Sequence, residues 1–290
     1  MQVEHDFRME KKLRSMDAEL HLRFSNAVFS MQHMLSHYRR LFPEYTDHSE
    51  LHSLTVIDFC NRLIGDQIEK LNADEIYILL MACYLHDAGM GVSERDYEVF
   101  KESLPYDQYF EVRPNGTVAE FVRDYHNEFS GFFIRKYAQM LEIPTPEHAF
   151  CIIQIARGHR KTDMFDKEEY PEAYRLPNGN TVCLPYLTAL IRLADEIDVA
   201  AERNPILLYD IELLTDELQI YHNKMARAIP ELHMSQDGFL MKVDTPENEV
   251  YAGICMMCKK MQITLDLCRT VVNERTSFHI TQQWVDLYRA

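Results

Sequence analysis

The sequence predicts a mainly α fold: a helical bundle with a small C-terminal α+β extension. Three observations lead there. Glycine and proline are sparse, 9 and 11 among 290 residues, so few breakers interrupt the chain. Apolar residues recur at helical spacing through most of the first two-thirds. After Asn204-Pro205 the texture changes, and "ELHMSQDGFLMKVDT" alternates apolar and polar residues around Asp237-Gly238, a hairpin signal.

The elements follow in order. Residues 5–40 read as helix, with "AVFSMQHMLSHYRRLF" on one side, charges on the other and no proline before Pro43. Asp47 with Glu50 is a capping-box signal for the next helix, where Leu51, Leu54, Ile57, Phe59 and Leu63 recur near helical spacing. Asn72 with Glu75 repeats that signal ahead of "EIYILLMACYL", which is apolar almost all round and belongs at the bundle centre. Residues 91–117, with Pro105, Pro114 and "NGT", read as a short helix plus loop. "VAEFVRDYHNEFSGFFIRKYAQML" and "PEHAFCIIQIARGHR" read as helices, the second breaking at Gly158. Residues 161–182 are polar and broken, a loop or lid; "LPYLTALIRLADEIDVAAE" is helix again, and a last helix spans roughly 247–275. The expected organisation is an N-terminal helix (1–45) packing on the core, a helical domain (46–205) and the extension (206–290).

Charge and composition narrow the function. With 46 acidic and 30 basic residues the net charge is −16, which disfavours general nucleic-acid binding. A phosphorylated substrate would need local cations to draw it in. The seven cysteines are odd in number and lie mostly in apolar runs, as expected of reduced thiols in a cytoplasmic protein. The N-terminus is charged and lacks an apolar signal core, and no apolar run reaches the ~18 residues of a membrane span. "HMLSH" places His33 and His37 at i and i+4 but lacks the glutamate of a zinc-protease helix. "CMMC" at 255–258 reads as core packing, and the methionines and aromatics of 248–268 as core or a dimer face. No GxSxG, P-loop or GxGxxG pattern occurs.

What stands out is "CYLHDAGMG", where an apolar helix ends on His86-Asp87. Other candidate ligands fall near helix ends or faces: His52 in "LHSLTV", His126 in "RDYHNEFS", His159 in "ARGHR" and Asp195 in "RLADEID". Successive positions lie roughly 33–40 residues apart, about one helical hairpin, so each can come from a different helix of one bundle. His48 competes with His52 one turn earlier, and Glu196 and Asp198 compete with Asp195 or stand behind it as supporting or general-base groups. Glycines at 89 and 91 also suit a plain helix C-terminus.

This ordered set resembles the HD superfamily of metal-dependent phosphohydrolases, named for a His…His-Asp…Asp pattern on a helical core. The match covers roughly residues 45–205 and sets the first histidine at His52, the doublet at His86-Asp87 and the last aspartate at Asp195. His126 and His159 look like the extra ligands of two-metal members. "RDYHNEFS", "GHR" and "RLADEID" further resemble the HD modules joined to Hsp90-like ATPases. The chain departs from many two-metal members in carrying Met90 where a lysine follows the doublet, unlike the cyclic-dinucleotide phosphodiesterase branch.

The resemblance implies one or two divalent ions held by His52, His86, Asp87, His126, His159 and Asp195, with Asp87 bridging. Imidazole and carboxylate suit Mn, Fe, Ni or Zn, with Mg also allowed; no cysteine is among the six, against a structural zinc site. The implied chemistry is metal-hydroxide attack on a small phosphoester, a nucleotide or nucleotide-like signal. Arg160 is the first choice to steady the phosphate, followed by Lys161, Arg192 and Arg203. Specificity is expected in 91–117 and 161–182. The same ligand set also resembles mixed-valence diiron oxygenases, and a third reading is a non-catalytic, metal-stabilised sensor or interaction module. The expected partner is a small phosphorylated molecule, with no membrane; the N-terminal helix is a candidate homodimer contact.

Overall fold

The computed structural model describes residues 7–35, 50–199 and 217–290. Asp47, His48 and Arg203 therefore lie outside the described residues, as do His37 and the Asn204-Pro205 boundary. No single helix among the described residues is long and apolar enough to cross a membrane.

The described chain is mainly helical, with two small sheets. The N-terminal stretch is two helices rather than one, α1 (Arg8–Met16) and α2 (Ala18–Leu35). The break falls at Asp17, which is extended and whose Oδ1 accepts the Glu19 and Leu20 amides, so it caps α2. Neither proline nor glycine marks that break; a capping carboxylate does.

The bundle proper follows with α3 (Glu50–Ile64) and α4 (Ala73–Leu85). Asn72 and Glu75 close the expected capping box, at 3.0 and 3.1 Å. Every α4 residue from Asp74 to Leu85 is buried, which is why its apolar positions run all round. Residues 91–117 hold two short helices, α5 (Glu94–Phe100) and α6 (Tyr106–Val112), whose aromatic rings pack on Phe121 and Phe129 of α7 (Val118–Tyr137). Then come α8 (Pro146–Arg157) and α9 (Leu184–Ile197).

Residues 161–182 are a buttressed connection containing a two-stranded hairpin, β1 (Tyr174–Arg175) and β2 (Thr181–Val182). Buried Arg275 donates to the Met164 and Tyr170 carbonyls at 2.5 and 2.7 Å. Arg157 bridges Glu128 and Glu169, and Arg192 donates to Gly158 and Thr162.

The C-terminal part comprises α10 (Glu217–Arg227), β3 (Glu231–Met234), β4 (Gly238–Val243), α11 (Asn248–Arg275) and β5 (Trp284–Arg289). The expected hairpin is present: β3 and β4 pair antiparallel, with Met234 opposite Phe239. The third strand, β5, lies parallel to β4 with α11 as the crossover, and α11 packs along α9.

Candidate metal centre

The doublet sits where α4 ends. His86 is its C-cap, and Asp87 leads into a 3-10 turn, Ala88–Gly91, laid against α7. A Cβ on Gly89 would stand 2.2 Å from the His126 carbonyl oxygen and 2.6 Å from the Ser130 amide nitrogen, so only glycine permits this approach. Ser130, one turn beyond His126, completes the seam. Its hydroxyl donates to the His86 carbonyl at 2.5 Å and accepts the Gly89 amide at 2.8 Å. At the end of α8, a Cβ on Gly158 would meet Thr188 Cγ2 at 2.2 Å; its absence lets the turn carrying His159 settle on α9.

All six side chains named from the sequence converge. His52 Nε2 lies 3.1 Å from His86 Nε2, 3.4 Å from Asp87 Oδ2 and 3.2 Å from Asp195 Oδ1. His126 Nε2 lies 2.9 Å from His159 Nε2 and 3.2 Å from Asp87 Oδ1. His86 Nε2 is 3.5 Å from Asp87 Oδ2, and His159 Nε2 is 3.9 Å from Asp87 Oδ1. Two donor groups therefore form, His52/His86/Asp87 and Asp87/His126/His159, each using a different oxygen of Asp87. All are buried except Asp195, whose side chain is 22% exposed.

The ring tautomers decide what these groups can do. His86, His126 and His159 donate Nδ1–H to the carbonyls of Cys83, Arg123 and Ala156 at 2.8, 2.6 and 2.5 Å. A carbonyl oxygen only accepts, so Nδ1 carries a proton, and a neutral ring held this way presents its Nε2 lone pair inward. His52 Nδ1 pairs likewise with Asp198 Oδ2 at 2.6 Å. Two pairs of Nε2 atoms then face each other at 2.9–3.1 Å, an arrangement that a cation between them stabilises. Burial, with the neighbouring His126 and His86, holds His159 well below the usual imidazole range and so keeps it neutral. Metal–nitrogen and metal–oxygen bonds of about 2.0–2.2 Å put donors sharing one ion roughly 3–3.5 Å apart, so the residues fit divalent transition ions.

A family model, HD-CE, matches residues 42–258, well over half the chain. The chain belongs to the HD-CE family. No curated protein and no solved structure matches it. The HD-CE match begins ahead of α3 and runs into α11, so it takes in α10 and the β3–β4 hairpin as well as the helices that carry the six side chains.

A cavity of about 580 Å³ opens on the site and is lined by Asp87, His126, His159 and Asp195. Arg160 lines it too. Its Nη1 donates to the Arg123 carbonyl at 3.1 Å, the same oxygen that takes the His126 proton, so the guanidinium is fixed at the rim beside Arg123. Lys161 is not brought there. It has a positive φ of 51° and turns into a neighbouring cleft beside Asp124, at 3.6 Å. Arg192 is also diverted, buried and bound to backbone. Glu196 lines the cavity and pairs with Lys260 at 2.9 Å; burial raises its carboxyl and Lys260 opposes that.

Sequence reasoning missed Ser130, Arg123 and the contribution of α10 and α11. Ser130 carried a signal, a small hydroxyl at i+4 from a candidate ligand. The α10 and α11 residues carried none, because no ligand pattern continues past Asp198.

Proposed function

We propose that this HD-CE protein is a metal-dependent phosphohydrolase acting on a small phosphoester, a nucleotide or nucleotide-like signal. The reading rests on the division of Asp87, whose Oδ2 faces His52 and His86 while Oδ1 faces His126 and His159. One carboxylate serving two histidine pairs is the arrangement a two-ion site requires. His52, His86, Asp87 and Asp195 would hold one ion, and Asp87, His126 and His159 the other. Bound ions would activate water and neutralise phosphate oxygens.

The chain's own groups divide the remaining work. The carbonyls of Cys83, Arg123 and Ala156 keep three imidazoles in the ligand tautomer, and Asp198 does so for His52. Arg160, tethered through one nitrogen, has further N–H groups for a phosphate oxygen. Arg123 and Arg160 in the cavity lining support entry of an anion into a protein of net charge −16. Seven free cysteines support the cytoplasm as its compartment. The motif words around His126, His159 and Asp195 support kinship with the HD modules joined to Hsp90-like ATPases.

The test is metal analysis of purified protein paired with a phosphoester and nucleotide panel. Turnover that needs the metal, lost together with bound metal in Asp87→Ala, is the expected result. Metal-replete protein inactive on the whole panel, or metal-dependent hydrolysis surviving in Asp87→Ala, overturns it.

A further inference from the structure

The cavity over the candidate metal site is built only in part by the segments that carry the HD pattern. The remainder comes from α10 and α11. On α10, Gln219, His222, Met225 and Ala226 fall at i, i+3, i+6 and i+7, one helical face, and all line the cavity. From α11 come Met256, Met257 and Lys260. With Met90, beside the doublet, four methionines share one cavity with two arginines.

The packing that sets this wall is specific. A Cβ on Gly253 would lie 2.0 Å from the Tyr221 hydroxyl and 2.7 Å from Met225 Sδ, so glycine there lets α10 close on α11 and brings Met225 beside Met256 and Met257. Tyr221 in turn donates to the Glu249 carbonyl at 3.1 Å. Methionine is flexible and polarizable and favours the faces and edges of aromatic rings. A wall of methionines in a cavity that also holds the tethered Arg160 guanidinium suits a ligand with two unlike ends, one anionic and one flat and apolar. The volume of about 580 Å³ is within the range of small-molecule sites. Among the described residues, the lining includes none from 91–117 or 161–182, the segments in which specificity was expected.

We infer that α10 and α11 form the leaving-group subsite, and that Met225, Met256 and Met257 select phosphoesters bearing a planar heteroaromatic group such as a nucleobase. This rests on the phosphohydrolase reading for its phosphate end.

Equilibrium dialysis of metal-loaded, full-length protein with adenosine 5′-monophosphate and ribose 5-phosphate tests it. The two probes share the phosphate and sugar and differ in the base. Wild type is expected to bind the nucleotide at least tenfold more tightly. Met256→Ser/Met257→Ser is expected to bring the two within about twofold, chiefly by weakening binding of the nucleotide. Met256 is 72% exposed, so Met256→Ser alone is a second variant with little bearing on folding, and it should lose part of the preference. Equal binding of the two probes by wild type, a preference retained in the double variant, or no binding of either probe overturns the inference. Turnover of the same probes is scored separately: base-dependent binding without hydrolysis sinks the phosphohydrolase reading and leaves the subsite standing.

Discussion

His52 gives its Nδ1 proton to Asp198 at 2.6 Å, which leaves its Nε2 lone pair facing His86 Nε2 at 3.1 Å. The carboxylate is thus placed as a tautomer lock behind a candidate ligand. In Asp198→Asn, the amide can donate to Nδ1 and drive the proton onto Nε2, where it blocks coordination. Metal affinity, measured by chelator competition, should fall about 10–100-fold. An unchanged affinity would mean that His52 is not held as a ligand.

The two donor groups should empty separately. His126→Ala strips Asp87/His126/His159 and leaves His52, His86, Asp87 and Asp195 in place. Elemental analysis should then find about half the metal bound by wild type. Full retention would show that the second group holds no ion.

Gly89→Ala addresses the seam between the doublet and α7. The added methyl meets backbone atoms of His126 and Ser130, which cannot swing aside as side-chain tips can. A loss of about 1–3 kcal/mol in urea unfolding is expected, accompanied by weaker metal binding. Wild-type stability would mean that the turn shifts freely.

Acid should expose a second buried network, remote from the ligands. Burial pushes the Asp74 carboxyl up, but His148 at 2.8 Å, Asn180 at 2.7 Å and Asn178 at 2.9 Å prevail and hold it at about 2, against an ordinary 3.8. A carboxyl whose folded value is depressed adds stability above its unfolded value and loses it as pH falls through the folded one. The contribution here is roughly 2 kcal/mol. The stability gap between wild type and Asp74→Asn should therefore be full at pH 5 and shrink steadily as pH falls from about 4 towards 2. A gap that stays constant over that range would refute the assignment.

The parts of the fold legible in advance were those written in local chemistry. Asn72 and Glu75 announce the start of α4, and an uninterrupted apolar run announces its burial. The convergence of His52, His86, Asp87, His126, His159 and Asp195 was legible because each side chain sits at an end or inward face of its own helix. The break at Asp17 was not, since an aspartate inside a long helical pattern reads equally well as a solvated charge. Strand β5 was hidden because its partner β4 lies some forty residues earlier and pairs with it only across α11. Lys161 shows the limit of adjacency: it follows Arg160 directly, yet the positive φ sends it to another cleft. Met256 and Met257, read as core or a dimer face, line the cavity because α11 packs on α9, a pairing no local pattern encodes.

Strand β5 is also a clasp. It pairs along the whole of β4, and Val285 bonds through both its amide and its carbonyl to Gln262 and Cys258 of α11. During synthesis, the six side chains around Asp87 leave the ribosome about ninety residues before that clasp is complete. The wall formed by α10 and α11 is thus held by a strand that follows all six of those side chains in chain order.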